Sequence, residues 1–175
     1  ELSTRKAIEI NPNYTIAHSN LGIILRNIGK LKKAESSTRK AIQLNPNYAI
    51  AHSNLGSILK DLGKLQEAEL STRKAIELNP NFAQAFFNLS LLELLQGDYK
   101  NGWHNYEWRW KRKDAKAPHS QPLMPQWEGE VLQTVEKLLI ISEQGLGDTM
   151  QYMRYIPYLR KQGIDLLFCA QTKLH

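Results

Sequence analysis

Cysteine is nearly absent: Cys169 stands alone in 175 residues. A single thiol excludes an internal disulfide and a cysteine metal cluster, and it fits a reducing, cytoplasmic interior. Long apolar runs are missing too. Segments such as Leu138–Ile141 fall far below the roughly 20 residues that cross a bilayer, so neither a membrane helix nor a signal peptide is expected. Aromatic residues make up only 9% of the chain, yet three of the four tryptophans fall between residues 103 and 110.

Charge is unbalanced, with a net +6, which permits an acidic partner without requiring one. The dense basic run is Arg109, Lys111, Arg112, Lys113 and Lys116, interleaved with Trp108 and Trp110. Cations for phosphate and indoles for stacking would suit a single-stranded nucleic acid. A solvated helix end running into a linker explains the same residues more simply, so nucleic acid is the weaker reading.

What the chain does have is internal repetition. The stretch 49–82 matches 15–48 at about 24 of 34 positions, and such a period marks a stacked helical array. Residues 1–14 match the end of a copy and 83–112 form a degraded one. The expectation is therefore a cut-out from a longer array. In the copy at 49–82, Leu55, Gly56, Leu59 and Leu62 lie at helical spacing, and Gly63–Lys64 breaks that helix. Leu65, Ala68, Ala75 and Ile76 then mark a second helix, which Asn79–Pro80 stops. Each unit reads as a helix hairpin too small to bury its own apolar face, so neighbours must stack.

These residues resemble a tetratricopeptide repeat. The pattern appears as Leu21, Gly22, Leu25, Ala34, Ala41 and Pro46, and again as Leu55, Gly56, Leu59, Ala68, Ala75 and Pro80. The resemblance covers Glu1 to about Trp110. It implies a mainly α fold, a right-handed superhelical solenoid whose concave face is lined by the first helix of each hairpin. His18 and His52 stand where the family is usually bulky or aromatic, and are read as packing residues rather than metal ligands. No cofactor and no metal are expected.

Asn20, Asn54 and Asn88 recur at one register of that face. An asparagine amide offers both donors and acceptors, so a row of them can hold the backbone of an extended peptide. The wording AHSNLG is similar to the repeats of O-GlcNAc transferases, whose asparagine ladder holds polypeptide. The other reading is a spacer, each amide bonding the neighbouring repeat. Ser53, Ser57 and Lys60 complete the expected peptide-binding surface.

The degraded copy keeps Asn88 and Leu89 but places Ser90, Glu93, Gly102 and Arg109 at the glycine, core and two alanine positions. Phe87, Leu91 and Leu94 replace Ser53, Ser57 and Lys60 on the inner face. An inner face this apolar predicts a cover, so the copy is read as a cap on which the following segment docks. Trp103, Tyr106, Trp108 and Trp110 are expected to continue its second helix as packing residues.

Residues 113–134, with Pro118, Pro122 and Pro125, read as an extended connector ending near Trp127–Glu130. After it the composition changes. Lys137–Ser142 and Ile164–Ala170 read as buried strands around a glycine turn, 144–148, and a helix from Thr149 to Gln162 that Pro157 kinks. This is a truncated Rossmann-like β-α-β unit over 135–175. Gly145 and Gly147 would let backbone N–H groups approach an anion, and Asp148 is either a helix cap or a base.

The stretch LLIISEQGLGDTMQYMRYIPYLRKQG resembles the opening of the glycosyltransferase domain that follows tetratricopeptide repeats in many bacterial proteins. That domain is similar to the heptosyltransferases, which have two Rossmann domains. GDYKNGWHNYEWRW and WEGE resemble the linker of that family. The resemblance covers about the last 70 residues and implies that Asp148 is the suspected base and a nucleotide sugar the donor. With one β-α-β unit present, the chain itself is expected to be catalytically incomplete. Its exposed strands invite self-association. The readings carried forward are a peptide-binding scaffold and a glycosyltransferase whose repeats recruit a polypeptide acceptor.

Overall fold

The computed structural model describes residues 1–114, 124–127, 129–132, 136–143 and 145–170. Lys116, Pro118, Pro122, Glu128 and Gln144, named above for the basic run, connector and turn, lie outside the described residues. The chain separates into two compact units, Glu1–Ala115 and Lys116–His175.

The first unit is a row of antiparallel helix hairpins. A lone second helix, α1 (Leu2–Ile10), leads into α2 (Thr15–Asn27) and α3 (Leu31–Leu44). Then follow α4 (Ala49–Asp61) and α5 (Leu65–Leu78), and last α6 (Ala83–Gln96) and α7 (Tyr99–Tyr106). Within each hairpin the reversal is made by Gly29, Gly63 or Gly97, with φ of 76°, 75° and 87°. Glycine takes this left-handed turn without steric cost. The residue after it closes the turn, Lys30 N–H to Leu25 O and Lys64 N–H to Leu59 O, both 2.9 Å. Between hairpins, the Asn45 side-chain oxygen accepts the Asn47 N–H at 3.0 Å while Pro46 withholds a donor; Asn11 and Asn79 act alike at 3.1 and 3.2 Å.

Hairpins close on a very short approach. A Cβ on Gly22 or Gly56 would stand 2.0 or 2.1 Å from the Thr38 or Thr72 hydroxyl oxygen, so no other residue leaves room there. Each threonine hydroxyl donates back to its own helix, to Ala34 O at 2.9 Å and Ala68 O at 2.8 Å, and so is satisfied although buried. Core packing then crosses hairpin boundaries. Leu21, Leu25 and Ala34 are completed by Ile58 of the next copy, and Leu55, Leu59 and Ala68 by Leu92. No hairpin has a finished core without its neighbour.

First helices pack directly on one another, α2 on α4 and α4 on α6. Ion pairs join the outer layer. Arg39 spans Glu35 of its own helix and Glu67 of the next hairpin, while Lys64 reaches back to Glu35 at 3.1 Å. Arg73 likewise pairs with Glu69 of its own helix, but its second partner is the buried Glu93 of the next first helix, α6.

The last hairpin departs from the sequence expectation. Its second helix stops at Tyr106, and Glu107–Lys111 tightens into a 3-10 turn. From that turn one indole reaches the first helix of the hairpin: Trp108 stacks on Phe86, centroids 4.0 Å apart and planes 8° from parallel.

The second unit holds a parallel strand pair, β1 (Leu138–Ile141) beside β2 (Leu166–Cys169), with Leu138 opposite Leu166. Between them run α8 (Leu146–Tyr152) and α9 (Tyr155–Lys161). The single kinked helix expected from Thr149 is instead two helices, the first starting three residues earlier. Pro157 explains the break, since its missing N–H and its ring oppose the carbonyl of Met153, where α8 has ended.

Two outcomes follow. Gly56→Ala should lower stability by about 1–3 kcal/mol in urea unfolding, and adding Thr72→Ala should return part of that loss, because the hydroxyl in the way is then gone. Burial pushes the Glu35 carboxyl up, but hydrogen bonds from Arg39 and Lys64 outweigh it and hold the group below its usual 4.5. A carboxyl depressed in the fold stabilises above its unfolded value, and that contribution is lost as pH falls through the folded value. The urea midpoints of the parent and Glu35→Gln should therefore differ at neutral pH and converge on acidification below about pH 4.

Candidate functional site

The first-helix face of the repeats carries the expected asparagine row, and the structure shows what its amides bond. Asn54 Nδ2 donates to the Ser19 hydroxyl of the preceding copy at 3.0 Å. Asn88 Nδ2 donates to both Ser53 and Ser57, each at 3.0 Å. Both serine acceptors one repeat back, Ser19 and Ser53, are buried, at 0% and 1% exposure. The amides thus set the spacing between successive first helices. Ser53, expected at the peptide surface, lies beneath it and serves as an acceptor.

These spacer bonds leave capacity unused. Asn54 is half-buried, and its side-chain carbonyl accepts no hydrogen bond among the described residues. Asn20 is exposed and makes no side-chain hydrogen bond among them. Asn88 differs, since its carbonyl already accepts from Gln84 at 2.9 Å. Beside the row, Ile16 and Ile50 stand at one register, each 44% exposed. Along the other edge Arg26 pairs with Asp61 at 2.6 Å and Lys60 lies 3.8 Å from the same carboxylate, so two cations share one anion.

His18 and His52 are occupied locally. Each Nε2 lies at hydrogen-bond distance from the carbonyl of the proline in the preceding turn, 2.8 Å from Pro12 O and 2.9 Å from Pro46 O. Ser37 and Ser71 donate to the histidines' backbone carbonyls, at 2.9 and 3.1 Å, tying the second helix to the first.

In the last copy the three apolar side chains are half-buried, and their neighbours within this unit are specific. Phe87 lies 5.5 Å from the Tyr106 ring and under the Arg112 guanidinium at 4.4 Å. Leu94 fills the space that Gly102 leaves, where a Cβ would come within 2.7 Å. Leu91 is half-buried beside them in the sequence register. Glu93, at the position of Leu25 and Leu59, is 3% exposed, yet its carboxylate is bonded from both sides by Arg73 at 3.3 Å and Asn105 at 2.8 Å.

Part of the basic run is packed on rings rather than simply solvated, while Lys111 and Lys113 remain exposed. Arg109 pairs with Glu107 at 2.7 Å and stacks between the Tyr106 and Trp110 rings, at 4.7 and 4.6 Å. Lys111 lies over Trp108 at 3.9 Å, and Arg112 pairs with Asp114. Cations placed on ring faces are attracted by the ring quadrupole, which holds Arg109 and Arg112 within the fold. Residue-type counting missed this because it treats cation and ring as separate resources.

In the second unit, a cavity of about 290 Å³ opens at the carboxyl end of β1. Ile140, Ile141, Ile156 and Phe168 give it an apolar wall, and Ser142, Glu143, Asp148 and Thr149 line it as well. The Ser142 hydroxyl is buried and has no partner among the described residues. Asp148 is exposed in the first turn of α8, where a carboxylate suits the helix dipole. It does not cap that helix: the cap position is Gly145, and no side chain bonds there. Gly145 and Gly147 face open space or ordinary contacts, so side-chain room does not demand glycine at either position within this unit.

The serine partners make a measurable difference between spacer and ligand contact. Asn54→Ala strands the Ser19 hydroxyl in the interior, so a loss of about 1–3 kcal/mol is expected in urea unfolding. Asn20→Ala, with no such partner among the described residues, should change stability by less than about 0.5 kcal/mol.

Comparison with known proteins agrees with this geometry. The family model described as tetratricopeptide repeat matches residues 15–48 and 49–82. A crystal structure of MamA shares the fold with a TM-score of 0.55 at 27% identity, over 63% of this chain and 64% of that one. A MamA RS-1 ArsTM double mutant shares the fold with a TM-score of 0.53 at 21% identity, over 60% and 59%. The chain thus spans less than two thirds of the length of either. No curated protein matches it. Residues 15–48 and 49–82 are two tetratricopeptide repeats, and the unit built around them is a helical solenoid of that kind.

Proposed function

We propose that the repeats are a protein-interaction scaffold whose concave face, made by the first helices, holds an extended peptide segment. The observation that carries this is the amide row. Asn54 spends one N–H on the repeat behind it and keeps its carbonyl and second N–H for an incoming backbone. Asn20, Ser57 and Lys60 flank it, with Ile16 and Ile50 offering apolar contact along one edge. Ser53 contributes indirectly by positioning Asn88. Phe87, Leu91 and Leu94 mark the end of the polar groove, where Tyr106 and Arg112 of the same unit pack on Phe87.

The test uses peptides selected from a random library on the full chain. Affinity should fall at least about tenfold in Asn20→Ala/Lys60→Ala, with the urea midpoint unchanged. Retained affinity would sink the proposal.

A second reading rests on the cavity beside Asp148. A pocket at the carboxyl end of the first strand of a β-α-β unit is where open α/β sheets place ligands. In a longer protein carrying a second nucleotide-binding domain, this unit supports glycosyl transfer to a polypeptide brought by the repeats, with Asp148 as base. Transfer from a nucleotide sugar by that protein, abolished by Asp148→Asn, is the expected result; transfer that survives the change removes Asp148 from the chemistry.

A further inference from the structure

The two matched repeats provide an internal comparison, because their buried positions are nearly the same while their outer faces are not. Along the outer face of α3 the exposed side chains are Lys32, Lys33, Ser36, Arg39, Lys40 and Gln43. One period later on α5 the same positions hold Gln66, Glu67, Leu70, Arg73, Lys74 and Glu77. The helix α3 carries four cations against one carboxylate, and α5 two cations against three. Each of the four changes from α5 to α3 adds a donor or removes a carboxylate or an apolar group: Gln to Lys32, Glu to Lys33, Leu to Ser36, Glu to Gln43.

Packing does not account for this. None of the four positions is buried, and on α5 two of the counterparts are ion-paired, Glu67 with Arg39 and Glu77 with Lys74, whereas α3 has no such pairs at Lys33 or Gln43 among the described residues. Nor are the charges used internally. Arg39 is engaged by Glu35 and Glu67, whereas Lys32, Lys33 and Lys40 make no ion pair among the described residues. Lys32, Ser36, Arg39, Lys40 and Gln43 line a shallow depression of about 410 Å³ with Glu35 on its inner side. Spaced four, seven, eight and eleven residues apart, they form a single stripe roughly 16 Å long, the reach of about five residues of extended chain.

From this we infer that the outer face of α3 is a second interaction surface, separate from the first-helix groove, and that it binds an acidic polypeptide segment. Charge complementarity selects the occupant. The stripe presents ammonium, guanidinium, hydroxyl and amide donors, all suited to carboxylates. No aromatic side chain lies on it for stacking bases, and the one apolar position of the α5 counterpart, Leu70, is here Ser36, leaving nothing to insert into a bilayer.

Fluorescence anisotropy of the full chain with a labelled oligoglutamate at low salt tests this. Giving α3 the face of α5, through Lys32→Gln, Lys33→Glu, Ser36→Leu and Gln43→Glu together, should weaken binding at least about tenfold and flatten its salt dependence. The thermal midpoint should hold, because α5 already tolerates these residues. Asn20→Ala/Lys60→Ala should leave oligoglutamate binding unchanged, which separates this surface from the proposed groove. Failure of oligoglutamate to bind, equal affinity in the fourfold variant, or tighter binding to single-stranded DNA or phosphatidylserine vesicles would each overturn the assignment.

Discussion

The first unit depends on one close approach, glycine of the first helix against threonine of the second. Gly22 and Gly56 let the Thr38 and Thr72 hydroxyls approach to a distance that no Cβ tolerates. That distance fixes how deeply the hairpin closes, which in turn decides where Leu25 and Leu59 point and how far Ile58 and Leu92 can reach from the next copy. In the last copy both partners change together, to Ser90 and Tyr106. Ser90 turns its hydroxyl to Phe87 O at 2.7 Å, and the larger ring packs against Phe87 and Trp103. The contact is rebuilt there as an aromatic cluster.

Above that contact the structure is held by nearest-neighbour terms, as expected of a solenoid. Three kinds recur one period apart: core side chains completing the previous hairpin, asparagine amides bonded to buried serines, and arginines spanning two carboxylates. They differ in kind. The first is non-directional and sets attraction; the second has fixed geometry and sets register. The third lies largely in water and adds little individually. Its buried instance is different, because the Glu93 carboxylate has lost its water and needs both Arg73 and Asn105.

Period, hairpins, turns and core were legible because each rests on a local rule repeated twice. Asn-Pro stops, positive-φ glycines and leucine spacing are written in the residues themselves. The role of the asparagine row was not, since an amide at one register reads equally as ligand contact or spacer. Only the position of Ser19 and Ser53 one period back separates them. The 3-10 turn at Glu107–Lys111 was likewise hidden. Helical spacing continues through it, and the contacts that go with the turn, Trp108 on Phe86 and Arg112 over Phe87, are tertiary and follow no local rule. In the second unit, Pro157 was seen as a kink, but the size of its effect depended on how short the flanking helices are.

The same comparison of copies bears on where function resides. Two repeats that agree at their buried positions share their constraints of folding, so residues that differ between them are free of those constraints. The inner register keeps Asn20 and Asn54, which folding partly explains through the serine bonds. The outer register exchanges Lys32 for Gln66 and Ser36 for Leu70, which neither core packing nor an ion pair among the described residues explains. Burial and hydrogen bonding therefore rank the two faces differently from residue identity. The recurring amide row carries a structural duty with capacity to spare, while the outer stripe of α3 shows no structural duty among the described residues beyond the Arg39 pairs. A stripe of exposed lysines without an ion pair among the described residues, on a chain of net +6, repels its like and attracts an anionic partner the more strongly the lower the salt, which is the physical ground for assigning it one.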